Sequence, residues 1–416
     1  MHVEVAWPRL SVNHQGVKDG SGEHPARNKV VSDVGGREDV RGGRRRALVW
    51  LATGTLLSSA GRVRGLSVAR EPVPAWPGWQ AFKKAQIQAD GRVIDYITKD
   101  LRSTSESQAY AMFFALVAND KLMFASVWHW TRHNLMSGST PIALPGWLWG
   151  RSASGGYCLL DGNSASDADL WMAYALLEAG RLWRREDYDA AGHALLQLIQ
   201  THEAIQIPGL GALLLPGRQG FAGTGWWKLN PSYLPIQVLR RCALELPPSS
   251  PWAVYPHQAL RLIQLSAVQG FAADWVRWDG SSMQRDVTAS WDAIRTYLWA
   301  GMLADEDALR APLLAALHGP LDQLRNGQRM PEKIHLKSGL QEGREPRGYA
   351  GALLPYLAVQ GQNQLLASQQ QLIPPVAQYA TTGLPYFERM LILFGEGWLQ
   401  HRFRFGPQGH LIPSWA

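Results

Sequence analysis

Three acidic residues recur at the same kind of place in this chain, the start of a long apolar segment. Glu106 lies in STSESQAYAMFFALVAND, Asp167 in NSASDADLWMAYALLEAGRLW and Asp292 in TASWDAIRTYLWAGM. A carboxylic acid that gives up a proton, set opposite a carboxylate that activates water, is the equipment for hydrolysing a glycosidic bond. Asp167 and Asp169 also form a D-x-D pair. Residues two apart on a helix do not face each other, and no His or Cys cluster has ligand spacing, so no metal ion and no cofactor are expected.

Each acid also has a purely structural role open to it. Ser105 and Gln108 are placed to make a capping box around Glu106, Ser164 and Ser166 to cap the helix behind Asp167, and Ser290 to cap the one behind Asp292. Arg295 stands three residues after Asp292, the spacing of an intrahelical ion pair. The helix that Asp167 opens sets that acid at the edge of a core. After Asp169 the only charges up to Trp183 are Glu178 and Arg181, and a helix that is apolar nearly all round belongs inside a larger structure.

Helical patterns fill the chain beyond the Pro72, Pro74 and Pro77 segment, and they alternate in character. Apolar-all-round segments begin near Glu106, Asp167, Asn230, Ser290, Gly348 and Leu384. Amphipathic ones begin near Trp79, Lys121, Asp187, Val254, Asp305 and Asn363. Six buried and six half-exposed helices suit two concentric rings, although the pattern by itself establishes only a large all-α domain. If alternate helices run the same way, the three acids face one cleft. Strand or hairpin material is expected at 205–228 and 271–288.

The run SDADLWMAYALLEAGRLW resembles the signature of glycoside hydrolase family 8, and the likeness extends from about Trp76 to Trp415. The resemblance implies an (α/α)6 barrel with short β insertions at the cleft, and an inverting endo-β-1,4-glucanase. It also implies roles: Glu106 as general acid, Asp292 as base, and Asp167 as the acid that holds the distorted sugar and positions water. Ser107 and Trp291 stand where the family has Gly and Tyr. The family also includes enzymes acting on chitosan, xylan and mixed-linkage glucan, and a noncatalytic glucan-binding partner of a synthase complex is a reading from another class. Within the family the chain resembles the endoglucanases encoded beside cellulose synthase.

Nineteen Trp is a high number, and because an unsatisfied indole N–H is costly to bury, many are expected at a surface or cleft. Trp147, Trp149, Trp226, Trp227 and Tyr233 are read as lying in loops or at helix starts, where flat rings offer their faces to a β-linked glucan. With Asn230, Trp291 and Arg295 they form the expected substrate-binding set, core packing being the alternative for any single ring.

Hydrophobic content of 46% with 18% charged residues indicates a globular protein. Most of the formal charge of +7 belongs to the first 75 residues, so the rest has no nucleic-acid footprint. Cys158 and Cys242 both lie in apolar surroundings and are expected as buried free thiols, a bridge being allowed in an oxidising compartment. Residues 1–43 lack a hydrophobic period and are expected to be disordered. Residues 44–69, with Arg44, Arg45 and Arg46 before an apolar stretch and small residues at Ser58–Ala60, read as an export signal of the general secretory or twin-arginine type. A linker over 70–77 then leads to a catalytic domain at 78–416, placed in the periplasm or outside the cell. The partners expected are β-1,4-glucan chains and a cellulose synthase complex, with no nucleic acid and no stable membrane insertion.

Overall fold

The computed structural model describes residues 75–285, 288–379 and 383–416. The expected leader, signal and most of the linker lie outside them. Six helices are half-buried: α1 (Pro77–Gln86), α3 (Lys121–Asn134), α5 (Glu186–His202), α7 (Tyr255–Ser266), α9 (Arg310–Ala316) and α12 (Asn363–Leu372). Six more are buried almost throughout: α2 (Ser105–Val117), α4 (Ser166–Trp183), α6 (Ile236–Ala243), α8 (Ile294–Met302), α11 (Arg347–Ala358) and α13 (Tyr386–Leu399). A short helix, α10 (Gly319–Arg325), follows α9.

The protein is an (α/α)6 barrel, as the family resemblance implies. Each buried helix packs on a half-buried neighbour: α2 on α3, α4 on α5, α6 on α7, α8 on α9, α11 on α12 and α13 on α1. The expected helix starts agree with the observed ones to within a few residues except at α6 and α9. Asn230 opens a short 3-10 turn (Pro231–Tyr233) ahead of α6, and Asp305 lies in the connection before α9. Close approach within the inner ring depends on glycine. A Cβ at Gly395 of α13 would overlap the carbonyl of Gly351 in α11, and one at Gly301 of α8 would overlap the backbone of Tyr356.

The barrel axis is filled by aromatic rings. Phe113 lies 5.1 Å from Trp171, 5.3 Å from Phe394 and 5.1 Å from Phe403, and Trp171 lies 5.2 Å from Trp299. The expectation that many tryptophans lie at a surface or cleft holds for only part of them. Trp79, Trp171 and Trp252 are fully buried, and the indole N–H groups of Trp171 and Trp252 have no hydrogen-bond partner. A ring of six inner helices encloses a wide axis, and large aromatic side chains in edge-on, tilted and stacked contacts fill it.

Strands are short and peripheral. Those at Ala222–Gly223, Trp226–Leu229, Val276–Trp278 and Met283–Arg285 form one four-stranded sheet, within the two stretches expected to hold strands. The C-terminal hairpin, Phe403–Phe405 paired with Leu411–Pro413, closes the barrel at the end away from the acids. There Glu178, fully buried, accepts hydrogen bonds from Arg181, Arg241 and the Leu411 amide. Both cysteines are free, but Cys158 is exposed on the strand Tyr157–Asp161, so only Cys242 fits the expectation of a buried thiol.

Candidate active site

The acids arrive by local rules that differ from those expected. Thr104, not Ser105, caps α2: its hydroxyl accepts from the Ser107 amide at 3.0 Å, and the Ser107 hydroxyl accepts from the Thr104 amide at 3.1 Å. Pairing of Ser103 and Thr104 with Trp149 and Leu148 holds the chain extended up to Thr104, which shifts the cap by one residue. Gln108 turns away to bond Val93, Gly91 and Thr131. Ser107, which departs from the family pattern, is therefore the N3 member of the capping box.

At α4 neither serine caps. Ala165 holds the cap position, while the Ser164 hydroxyl donates to Glu203 at 2.6 Å. Asp167 accepts from the adjacent Ala168 amide at 2.8 Å. Asp292 is not in the first turn of α8 but two residues ahead of it, in a turn, and Ser290 spends its hydroxyl on Asp274 instead of on the helix.

These three acids converge on one guanidinium. Arg295 Nη1 donates to Glu106 Oε2 at 2.6 Å and to Asp167 Oδ2 at 2.8 Å, and Nη2 donates to Asp292 Oδ1 at 2.7 Å. Its side chain is almost fully buried, whereas Glu106 and Asp292 each keep a small exposed edge, at 18% and 17%. Arg295 thus organises the acids from beneath. The expected i,i+3 pair with Asp292 exists, but as one arm of a link across three helix mouths.

Burial, reinforced by the charges of Asp167 and Asp292 and opposed by Arg295, pushes the Glu106 carboxyl up to about 8. Glu106 therefore holds a proton at neutral pH. Asp167 is also raised, by burial first. Asp292 has an N–H donor on each oxygen: Arg295 on Oδ1, and the Trp275 indole on Oδ2 at 3.0 Å. An acid carrying a proton and an acid facing two donors differ in what they can do, the first donating and the second accepting.

The other expected binding residues divide. Trp149, Trp226 and Trp227 are partly exposed, and all three lie on short strands, not in loops. Trp147 is buried, its backbone bonding Ser105 and Asn163. Asn230 is buried and caps the 3-10 turn through Ser232, and Tyr233 is buried with its ring 5.3 Å from the Arg295 guanidinium. Trp291 is partly exposed, packs edge-on against Tyr349 and Phe387, and donates to Glu332 at 3.3 Å. Sequence reasoning missed Trp275 and Asp274, which lie within the segment read only as strand material. It also passed over Glu203, which with Asp169, weighed only as half of a D-x-D pair, forms a fully buried acid pair behind Asp167 whose carboxyls are both raised, Glu203 to about 7.

An (α/α)6 barrel whose inner-helix mouths present a protonated carboxyl and two further acids defines an acid–base glycoside hydrolase. The chain belongs to the glycosyl hydrolases family 8, whose model matches residues 66–401. It is 53% identical over 344 residues to an endoglucanase of Xanthomonas axonopodis pv. citri, covering 82% of this chain and 89% of that one. An endoglucanase of Escherichia coli K12 is 40% identical over 346 residues, with 82% and 92% covered. The crystal structure of an endo-1,4-D-glucanase from Vibrio fischeri superposes with a TM-score of 0.74 at 37% identity, over 82% of this chain and 99% of that chain.

Proposed function

We propose that the protein is an inverting endo-β-1,4-glucanase in which Glu106 protonates the leaving oxygen and Asp292 activates water, with Asp167 steadying the sugar and the water. The observation that carries this is the shared guanidinium. One buried arginine holds three acids at helix mouths, and among them Glu106 keeps its proton up to about pH 8. Glu106 is held on Nη1 and Asp292 on Nη2, so acid and base sit on separate arms of the guanidinium. Inversion requires separated carboxyls, about 6.5–9.5 Å apart with water between, against about 5–5.5 Å for retention. The partly exposed rings of Trp149, Trp226, Trp227 and Trp291 supply flat faces of the kind that stack on pyranose C–H surfaces.

Proton NMR of the first products from a β-1,4-glucan should show the α-anomer before mutarotation. Early β-anomer, or a glycosyl ester on Asp292, would overturn the mechanism. Reducing-sugar assays on carboxymethylcellulose, chitosan, xylan and mixed-linkage glucan test the substrate, with carboxymethylcellulose expected to be cut fastest.

A role beside a cellulose synthase, acting on nascent chains outside the inner membrane, is the biological setting that fits this activity. Among the described residues no helix is long and apolar enough to cross a membrane. Export would follow from cleavage between Ala60 and Arg70, and N-terminal sequencing of the periplasmic protein tests it. Recovery of the uncut chain from cytosol would count against export.

A further inference from the structure

Asp292 sits in a turn just ahead of α8, where its carbonyl accepts from the Arg295 amide at 3.2 Å and the Ser290 carbonyl accepts from the Ile294 amide at 3.1 Å. A second acid ties the same turn down from the side. Asp274 is 4% exposed, and its side chain accepts four hydrogen bonds from residues on both sides of Asp292. Oδ1 accepts from the Ser290 amide at 2.7 Å and the Ala293 amide at 2.9 Å. Oδ2 accepts from the Thr288 hydroxyl at 3.0 Å and the Ser290 hydroxyl at 2.7 Å. The Asp274 amide adds a bond to the Thr288 carbonyl at 3.0 Å. The next residue, Trp275, donates to Asp292 itself, and its ring is stacked on Phe221 at 5.9 Å and lies 5.7 Å from Tyr233. One residue therefore fixes the backbone around Asp292 and its neighbour aims the carboxylate.

We propose that Asp274 is a positioning residue for hydrolysis, clamping the 288–293 turn so that Asp292 faces the water it activates. This rests on the reading of Asp292 as the base. A buried acid next to another acid is a costly way to staple a turn. Burial, and after it the charge of Asp292, pushes Asp274 up to about 6. Its use here is explained by geometry: a carboxylate offers two oxygens in one plane, enough to accept from two amides and two hydroxyls at once.

The test separates water activation from leaving-group protonation. Kinetic constants are measured on a cello-oligosaccharide and on a dinitrophenyl β-cellobioside, whose leaving group needs no proton. Because a misplacement near 1 Å costs about 10²-fold, Asp274→Ala should lose about that factor in kcat on both substrates, with KM changed by less than about threefold. Asp274→Asn should recover to within about fivefold of the wild type, since its oxygen still accepts from both amides and its NH2 donates to both hydroxyls. Wild-type kcat in the Ala variant, a loss confined to the oligosaccharide, or a rise in KM alone would overturn the proposal. If the Ala variant does not fold, Ser290→Ala, which deletes one donor, should lower kcat by about tenfold at unchanged KM, and an unaltered kcat there refutes the clamp. Asp292→Asn is assayed in parallel. If it keeps wild-type turnover the base reading itself fails, whereas an inactive Asp292→Asn beside an unaffected Asp274→Ala removes only the role of Asp274.

Discussion

Replacing Glu106 by Gln removes the transferable proton and little else. The amide oxygen can still accept from Arg295 Nη1, the bond that Glu106 makes at 2.6 Å, so the link to Asp167 and Asp292 survives. General acid catalysis contributes about 10²–10⁴-fold, or roughly 3–5 kcal/mol of barrier, and kcat on cello-oligosaccharides should fall by that factor. A dinitrophenyl β-cellobioside, which needs no acid, should lose far less. The pH dependence adds an independent readout. Wild-type kcat/KM should decline as pH rises through about 8, where Glu106 loses its proton, and the Gln variant should lack that limb. Stability moves in a defined direction as well. Because the folded-state value lies above the ordinary 4.5, the Glu106 contribution is fully present below pH 4.5 and is lost as pH rises through about 8. The shift bounds this at about 5 kcal/mol, less what Asp167 and Arg295 absorb as they adjust. The Gln variant should therefore gain melting temperature relative to the wild type between pH 5 and 8. An alkaline limb retained in the variant, or an equal loss on both substrates, would refute the assignment of the acid.

Arg295→Met leaves three acids at one site without a cation, so chemical denaturation at pH 7 should show a loss of about 3–5 kcal/mol, smaller at pH 5 where the acids take up protons; unchanged stability would mean that the guanidinium is not what holds them. Glu178→Ala should cost a similar amount by freeing Arg241 and the Leu411 amide at the closed end of the barrel, with catalytic constants preserved in whatever fraction is folded. Against burial, which raises it, His410 and then Arg181 and Arg241 hold Glu178 down at about 2, so its stabilising effect is present above pH 4.5 and lost as pH falls toward 2, which acid titration of the two proteins by circular dichroism measures. With Cys158 exposed and Cys242 buried, its thiol pushed up to about 12, a disulfide-exchange reagent should titrate one thiol in the native protein and both in denaturant.

The division into six inner and six outer helices was legible in the chain because helical period and one-sided polarity are carried by residues three and four apart. The start of α2 at Glu106 and that of α4 at Asp167 followed from the same local signal. What local signals could not decide was which polar group each side chain would meet. Ser105 read as the cap of α2, but a strand contact with Leu148 and Trp149 selects Thr104. Ser164 looked like a cap but bonds Glu203, 39 positions away. Asp292 and Arg295 read as a simple i,i+3 pair, yet the same guanidinium reaches Glu106 across 189 positions and Asp167 across 128. In each case the chain carries the donor and the acceptor, but the choice between partners is made by distance in space, and that distance exists only once the inner helices have closed into a ring.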